Sequence, residues 1–258
     1  MSYAVMMVHV DIDDSADGRI RLASELAKRF DATLIGVSAM LVEAEGEVLA
    51  RLLARREAAF RRIAGAGGAK LDWRSANDLP DDVVAREARA ADLIIVGRVP
   101  APGGVVRSID PGRVVLRAGR PALIVPPGVE ALRAERIVIG WKDTREARRA
   151  VQDALPLLHE ANHVRVVEIR DAADDARAQE RVDEVARYLL RHRVAADTLV
   201  VTQTGGGAGG ALMRVAQEDG ANLIVAGAYG QSRLGEWVFG GATSDLLSAC
   251  PVCCLLAH

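Results

Sequence analysis

Short runs of apolar residues alternate along the chain with longer stretches in which apolar residues recur every three or four positions. The runs are typical of strands buried on both faces, and they include Met6–Val10, Thr33–Val37, Arg136–Gly140 and Val164–Ile169. The stretches predict amphipathic helices, as in Leu49, Leu52, Leu53, Phe60 and Ile63. Strands that alternate with helices predict parallel, doubly wound α/β sheets.

The chain contains an internal repeat. Residues 91–97 read ADLIIVG, and residues 221–227, which lie 130 positions further on, read ANLIVAG. At the same displacement PALIV (121–125) falls on PVCCL (251–255), and MVHV (7–10) falls on IVIG (137–140). A common displacement over three segments indicates a duplication. We therefore predict two units, residues 1–128 and 134–258, joined by PPGVEALRAE (126–135).

Composition narrows the class of protein. Lys and Arg together number 33 and Asp and Glu 35, which argues against a nucleic-acid-binding surface as the main function. No run approaches the roughly 18 apolar residues of a membrane span, and the start of the chain lacks the basic segment of a signal peptide. We expect a soluble, cytoplasmic protein without a membrane partner.

All three cysteines, Cys250, Cys253 and Cys254, lie in the last nine residues. The spacing C-x2-C occurs in redox and metal sites. Here, however, Pro251 leads into a predicted strand, on which Cys253 and Cys254 would point to opposite faces. A structural role is favoured over a redox-sensitive pair, which stays open.

Two glycine-rich segments follow predicted strands of the second unit. The string GGGAGG (205–210) contains the dinucleotide spacing G-x-G-x-x-G, but it follows the third strand of its unit instead of the first. A flexible loop before a helix accounts for it better. The second set is Gly227-Ala-Tyr-Gly230 followed, after nine residues, by Gly240-Gly-Ala-Thr243. It places glycines at a strand end and where Gly240 would open the last helix, an arrangement suited to an anion. A purely structural turn is the alternative.

The segment GAYGQSRLGEWVFGGAT (227–243) resembles the universal stress protein pattern G-x2-G-x9-G-[S/T], and the order of elements agrees over both halves. The resemblance implies two adenine-nucleotide-hydrolase-like, flavodoxin-like units packed as a pseudo-dimer through their last strands, with a further homodimer open. It also implies that ATP, with or without Mg²⁺, binds in the second unit. The residues implied around the nucleotide are Ala226, Gly227, Tyr229, Gly230, Gly240, Gly241, Ala242 and Thr243, with Lys142 and Asp143 near the adenine.

The chain departs from the family pattern at several positions. Gly241 stands where ATP-binding members carry Ser or Thr, and Lys142 replaces the family's Asp after the first strand, with Asp143 beside it. In the first unit Asp11 and Asp13 compete for that Asp position. The first unit has lost the phosphate loop, because Pro100 and Asp110-Pro111 stand where the glycines would be. We expect that unit not to bind ATP.

Three functions remain after this reading. The first is a stress-response regulator that binds an adenine nucleotide, and the second is a nucleotide-free interaction module with a remnant glycine loop. The third is an enzyme on a related fold, either a nucleotide hydrolase such as a weak ATPase or a nucleotidyl transferase, for which the sequence offers no base, nucleophile or metal cluster. Trp141 has two interpretations, stacking on a base or closing the core at the end of its strand, and the second is favoured.

Overall fold

The computed structural model describes residues 2–42, 46–98, 109–170, 177–203, 205–230 and 241–258. The chain divides into two compact units, an N-terminal unit of residues 2–132 and a C-terminal unit of residues 133–258. Their boundary lies within the linker predicted at 126–135. None of the described helices is long and apolar enough to cross a membrane.

The N-terminal unit is a five-stranded parallel sheet with the strand order β3-β2-β1-β4-β5. Its strands are β1 (Val5–His9), β2 (Thr33–Ala39), β3 (Lys70–Ala76), β4 (Leu93–Gly97) and β5 (Ala122–Val125). Its helices are α1 (Asp17–Arg29), α2 (Gly46–Gly65), α3 (Pro80–Glu87) and α4 (Pro111–Arg117). Two short 3₁₀ turns precede α1 and β4.

The C-terminal unit repeats this arrangement, with the strand order β8-β7-β6-β9-β10 and every pair parallel. Its strands are β6 (Arg136–Trp141), β7 (His163–Arg170), β8 (Asp197–Thr202), β9 (Leu223–Gly227) and β10 (Cys253–Ala257). Its helices are α5 (Arg145–Leu158), α6 (Ala178–Arg191), α7 (Gly207–Glu218) and α8 (Ala242–Ala249). The predicted parallel α/β fold is confirmed.

Each core is mainly aliphatic, since aromatic residues make up only 3% of the sequence. The side chains of β4 and β9 are buried from the first residue to the fourth, and only their terminal glycines are partly exposed. Helices on both faces of a parallel sheet account for strands without polar alternation. Strand order reverses between β6 and β9, which pair directly with Gly140 opposite Ala226. Ligands of such sheets bind beyond the strand ends at this reversal.

Candidate functional site

The end of β9 and the start of α8 meet at the carboxyl edge of the C-terminal sheet. The backbone amide of Tyr229 donates a hydrogen bond to Oγ1 of Thr243, at 3.3 Å. Gly230 is exposed, and a β-carbon placed on it would lie 3.4 Å from Cγ2 of Thr144, the residue that caps α5. Two segments fourteen residues apart in sequence, together with the start of α5, therefore surround Gly230.

Two residues of this cluster have left-handed backbone conformations. Tyr229 has φ of +56°, and Gly241, which immediately precedes α8, has φ of +121°. Non-glycine residues adopt the left-handed region rarely, and such residues often lie at binding sites. Among the described residues, no heavy atom would lie within 4 Å of a β-carbon on Gly241. The first amide groups of α8 have no partners within the helix ladder.

The helix α8 begins at Ala242, two residues after Gly240, which the sequence predicts would open it. Gly241, and not Gly240, occupies the cap position before Ala242. Gly240 itself lies outside the described residues. The other members of the predicted phosphate set, Ala226, Gly227 and Ala242, lie at the end of β9 and at the first position of α8.

Gly227 has a packing role that the sequence did not reveal. A β-carbon there would lie 2.4 Å from the backbone N of Ala147 and 2.6 Å from the backbone C of Glu146. The end of β9 thus lies directly against the first turn of α5, and only a glycine permits this approach. The absence of a side chain at Gly227 is explained by packing whether or not a ligand binds.

Glu146 is a residue of this site that the sequence analysis missed. Its side chain is only 1% exposed, Oε1 accepts a hydrogen bond from Nε of Arg145 at 2.5 Å, and Oε2 has no partner among the described residues. Burial acts to raise the pKa of this carboxyl, but hydrogen bonds from Arg145, its own backbone amide and Thr144 outweigh burial and lower it. Glu146 is therefore ionised at neutral pH. An acid in the first helical turn is ordinarily a solvated residue, so the sequence carried no signal for its burial.

Lys142 and Asp143, predicted near the adenine, are both exposed. Asp143 forms an ion pair with Arg148 at 2.5 Å. Together with Trp141 it lines a groove of about 320 Å³ whose other walls are residues of α5 and α6. Trp141 is half-buried, and its indole Nε1 is buried without a partner in the described part of the chain.

The glycines at 205–210 have a structural explanation. Gly205, Gly206 and Gly207 have positive φ values of 140°, 74° and 73°, and Gly206 lies immediately before α7. A β-carbon on Gly209 would lie 2.5 Å from Cβ of Asp245. This glycine allows α7 to pack closely against α8, so the dinucleotide spacing is incidental.

The N-terminal unit is built differently at the equivalent place. Gly97 ends β4 as Gly227 ends β9, but a β-carbon on it would lie 2.1 Å from Nη1 of Arg19. Arg19 is 8% exposed, donates to the carbonyl oxygen of His9 at 3.0 Å and 2.8 Å, and forms an ion pair with Asp11. Asp13 accepts from the amide of Ser15 at 3.0 Å. Both candidate acids of the first unit thus have structural partners.

Asp110 also has a structural role, as the cap residue of α4. Its Oδ1 accepts hydrogen bonds from the amides of Gly112 at 2.9 Å and Arg113 at 3.4 Å, which caps α4. Pro100, the other departure from the glycine pattern, lies outside the described residues. A cavity of about 390 Å³ nevertheless remains in this unit, with Asp11, Arg19 and Gly97 among its lining residues.

Neither the cysteines nor any other described residues form a recognisable metal site. Cys250, Cys253 and Cys254 are buried, and they form no disulfide within the described part of the chain. Burial, with a smaller contribution from Cys250, raises the pKa of Cys253 to about 12. Over the described ranges no group of three His, Cys, Asp or Glu side chains could hold a metal ion. The structural interpretation of the cysteines is consistent with this burial.

Comparison with known proteins decides the family. The sequence profile of the universal stress protein family matches residues 133–258, which is the C-terminal unit. Residues 133–258 therefore form a universal stress protein domain. The family predicted from GAYGQSRLGEWVFGGAT is thereby confirmed.

Solved structures extend the likeness in fold to both units. A universal stress protein from Archaeoglobus fulgidus matches with a TM-score of 0.78 and 13% identity, covering 98% of this chain and 96% of its own. A functionally unknown protein from Pseudomonas aeruginosa matches with a TM-score of 0.64 and 14% identity, covering 99% of this chain and 92% of its own. A universal stress protein crystallised with cAMP is 26% identical over 50% of this chain, with a TM-score of 0.40, and is covered over 100% of its own length. No curated protein matches the chain by sequence.

Proposed function

We propose that the C-terminal unit binds an adenine nucleotide, ATP, with its phosphates against Gly230 and the start of α8. The observation that supports this most is the hydrogen bond between the amide of Tyr229 and the hydroxyl of Thr243, at 3.3 Å. It joins the G-x2-G turn to the first turn of α8, as a phosphate site assembled from both segments requires. The protein would act as a stress-response regulator in the cytoplasm.

The local physical chemistry suits an anion. The amides of the first turn of a helix lack partners within the helix, and the helix dipole favours negative charge there. Gly241 adds a backbone that a ligand can approach, because no heavy atom of the described residues lies within 4 Å of its β-carbon position. These features are suited to a phosphate group.

We propose further that the chain binds one nucleotide and not two. In the N-terminal unit the guanidinium of Arg19 lies over Gly97, where the C-terminal unit leaves Gly227 against a backbone turn. Asp110 adds a negative charge at the start of α4. The first unit would then serve the assembly of the protein. A pseudo-dimer of the two units and a further homodimer stay predictions of the family resemblance.

A nucleotide-free interaction module is the second candidate, and the packing of Gly227 favours it. Both Gly227 and Thr243 already have structural partners, so the glycine pattern could be kept for folding alone. The two candidates differ in one measurable property, which is saturable nucleotide binding that depends on Gly230.

The decisive experiment is calorimetric titration of ATP with Mg²⁺ into the pure chain and into a Gly230→Asp variant. A β-carbon at Gly230 has its nearest neighbour at 3.4 Å, so Asp fits there while placing a negative charge at the proposed phosphates. We expect saturation near one ATP per chain in the natural protein and loss of binding in the variant. The matched control is Gly65→Asp at the end of α2, where the nearest atom is 3.9 Å from the β-carbon. No heat and no melting shift at millimolar ATP would favour the interaction module.

A further inference from the structure

The carboxylate of Glu146 lies beside the proposed phosphate site without a full set of partners. We propose that Glu146 is a ligand of the divalent cation that accompanies the nucleotide, so that the C-terminal unit binds Mg–ATP and discriminates against free ATP. This inference rests on the proposed function and names the form of the nucleotide that the site accepts.

The position of the side chain is defined by α5 and β9. Glu146 is the second residue of α5, after the cap residue Thr144, and its exposure is 1%. Its Oε2 has no hydrogen-bond partner within the described ranges, and it lies 3.5 Å from the β-carbon position of Gly230. The unpartnered oxygen is thus directed towards the exposed glycine at which the phosphates are proposed to bind.

Its charge is only partly compensated. Arg145 contacts Oε1 at 2.5 Å and, with hydrogen bonds from Thr144 and the backbone amide of Glu146, lowers the pKa of the carboxyl. Arg145 is however 64% exposed, so water weakens its effect, and Oε2 keeps no hydrogen-bond partner among the described residues. The other charged groups of this loop are turned to other partners or to solvent. Asp143 pairs with Arg148, and Lys142 is exposed. A buried carboxylate oxygen without a partner is costly, and a ligand that supplies a positive charge removes that cost.

A phosphate next to this oxygen would bring two anions together in a partly buried site. Mg²⁺ would remove this repulsion, because it is usually bound by one or two carboxylates together with the oxygens of substrate phosphates. A single protein carboxylate is sufficient for such a site, which agrees with the lack of any three-residue metal cluster among the described residues. The cation would arrive with the nucleotide instead of binding to the protein alone.

The test compares ATP affinity with Mg²⁺ and with EDTA in the natural chain and in Glu146→Gln. In the natural chain we expect removal of Mg²⁺ to weaken binding by about tenfold or more, since a carboxylate metal ligand commonly contributes that much. In Glu146→Gln the repulsion and the metal ligand both disappear, so the two affinities should agree within about twofold. The matched control is Glu218→Gln, an exposed acid at the last position of α7, which should keep the ratio of the natural chain.

The outcomes separate this inference from the proposed function. If Glu146→Gln keeps the natural Mg²⁺ ratio, or loses affinity for Mg–ATP and free ATP equally, the cation role is wrong while nucleotide binding stands. An equal loss would point to a hydroxyl of the ribose as the donor to Oε2. If no form of ATP binds to any chain, the proposed function fails and this inference fails with it.

A second measurement serves if the variant does not fold. Mn²⁺ replaces Mg²⁺ in the complex of the natural chain with ATP, and nuclear magnetic resonance follows the side-chain carboxyl carbons. The inference predicts loss of the Glu146 signal through paramagnetic broadening, with the Glu218 signal unchanged. A sharp Glu146 signal at saturating Mn–ATP would overturn it.

Discussion

The backbone amide of Tyr229 donates a hydrogen bond to the hydroxyl of Thr243, at 3.3 Å, although the two residues lie fourteen positions apart in the chain. The bond fixes a left-handed residue, with φ of +56°, next to the exposed Gly230. The G-x2-G turn is therefore positioned by α8 as well as by its own sequence. A substitution at Thr243 should therefore change the affinity for the nucleotide even if the hydroxyl does not contact the ligand.

Thr243→Val should weaken ATP binding by about tenfold and lower the stability of the C-terminal unit by about 1 kcal/mol, because the amide of Tyr229 loses its acceptor. Calorimetric titration and urea unfolding measure the two effects. Thr243→Ser keeps the oxygen and should bind like the natural protein. Equal affinity in the valine and serine variants would show that the hydrogen bond does not organise the site.

Gly227→Ala should destabilise the protein by about 2–3 kcal/mol, because the new methyl group would overlap the backbone of Ala147, which cannot move aside cheaply. Urea unfolding measures this loss. Gly65→Ala, at the exposed end of α2, has its nearest atom 3.9 Å away and should be neutral or slightly stabilising. A Gly227→Ala protein as stable as the natural one, but unable to bind ATP, would mean that Gly227 serves the ligand and not the packing.

Arg19→Met should destabilise the N-terminal unit by about 2–4 kcal/mol, since it leaves Asp11 partly buried without its cation. The stoichiometry of ATP should stay near one per chain, because the proposed nucleotide site is in the other unit. Arg21→Met is the control, as Arg21 is 48% exposed and pairs with Glu130, which is 58% exposed, so its loss should cost less than about 0.5 kcal/mol. Equal losses in the two variants would contradict the proposed role of Arg19.

His9 should make the stability of the chain depend on pH. Burial lowers its pKa from 6.5 to about 4, with Asp11 acting in the opposite direction and Arg19 adding to the lowering. Between pH 6.5 and about 4, His9 is therefore protonated in the unfolded chain but neutral in the folded chain. The free energy of unfolding consequently falls as pH decreases through that range. The His9 contribution amounts to about 3 kcal/mol when the range is complete.

Urea unfolding at several pH values, in the natural chain and in His9→Gln, isolates this contribution. The variant should lose less stability between pH 7 and pH 4.5 than the natural chain, because glutamine does not titrate. His192→Gln, at the end of α6, provides the matched histidine control and should keep the natural pH dependence. Parallel curves for the natural chain and His9→Gln would show that His9 does not control this range.

The fold was largely predictable, because it depends on features that repeat along the chain. The buried runs ADLIIVG and ANLIVAG each end a unit's fourth strand, and their neighbours fall where the apolar pattern placed them. Position errors were confined to strand and helix ends, such as the start of α8 at Ala242 in place of Gly240. Element ends depend on capping contacts, which a local pattern does not specify.

The candidate site was predictable in outline but not in its chemistry. The spacing of Gly227, Gly230 and Thr243 placed the two segments that the hydrogen bond from Tyr229 to Thr243 joins, while their part in nucleotide binding stays a prediction. The sequence did not reveal that Glu146 is buried against Gly230. That approach brings α5 to the segment after β9, which is far away in the chain, and no local sequence pattern records it.

The sequence by itself determined the internal repeat, the parallel α/β units and the family resemblance. These depend on periodicity and motif spacing, which can be observed directly in the order of residues. Only the tertiary structure decided which side chain fills the space above each terminal glycine of β4 and β9. Arg19 lies over Gly97, whereas the backbone of α5 lies against Gly227 and leaves Glu146 beside Gly230. The physical reason is that burial and charge pairing arise between elements that folding brings together. The equivalent glycines Gly97 and Gly227 therefore have different neighbours in two similar units.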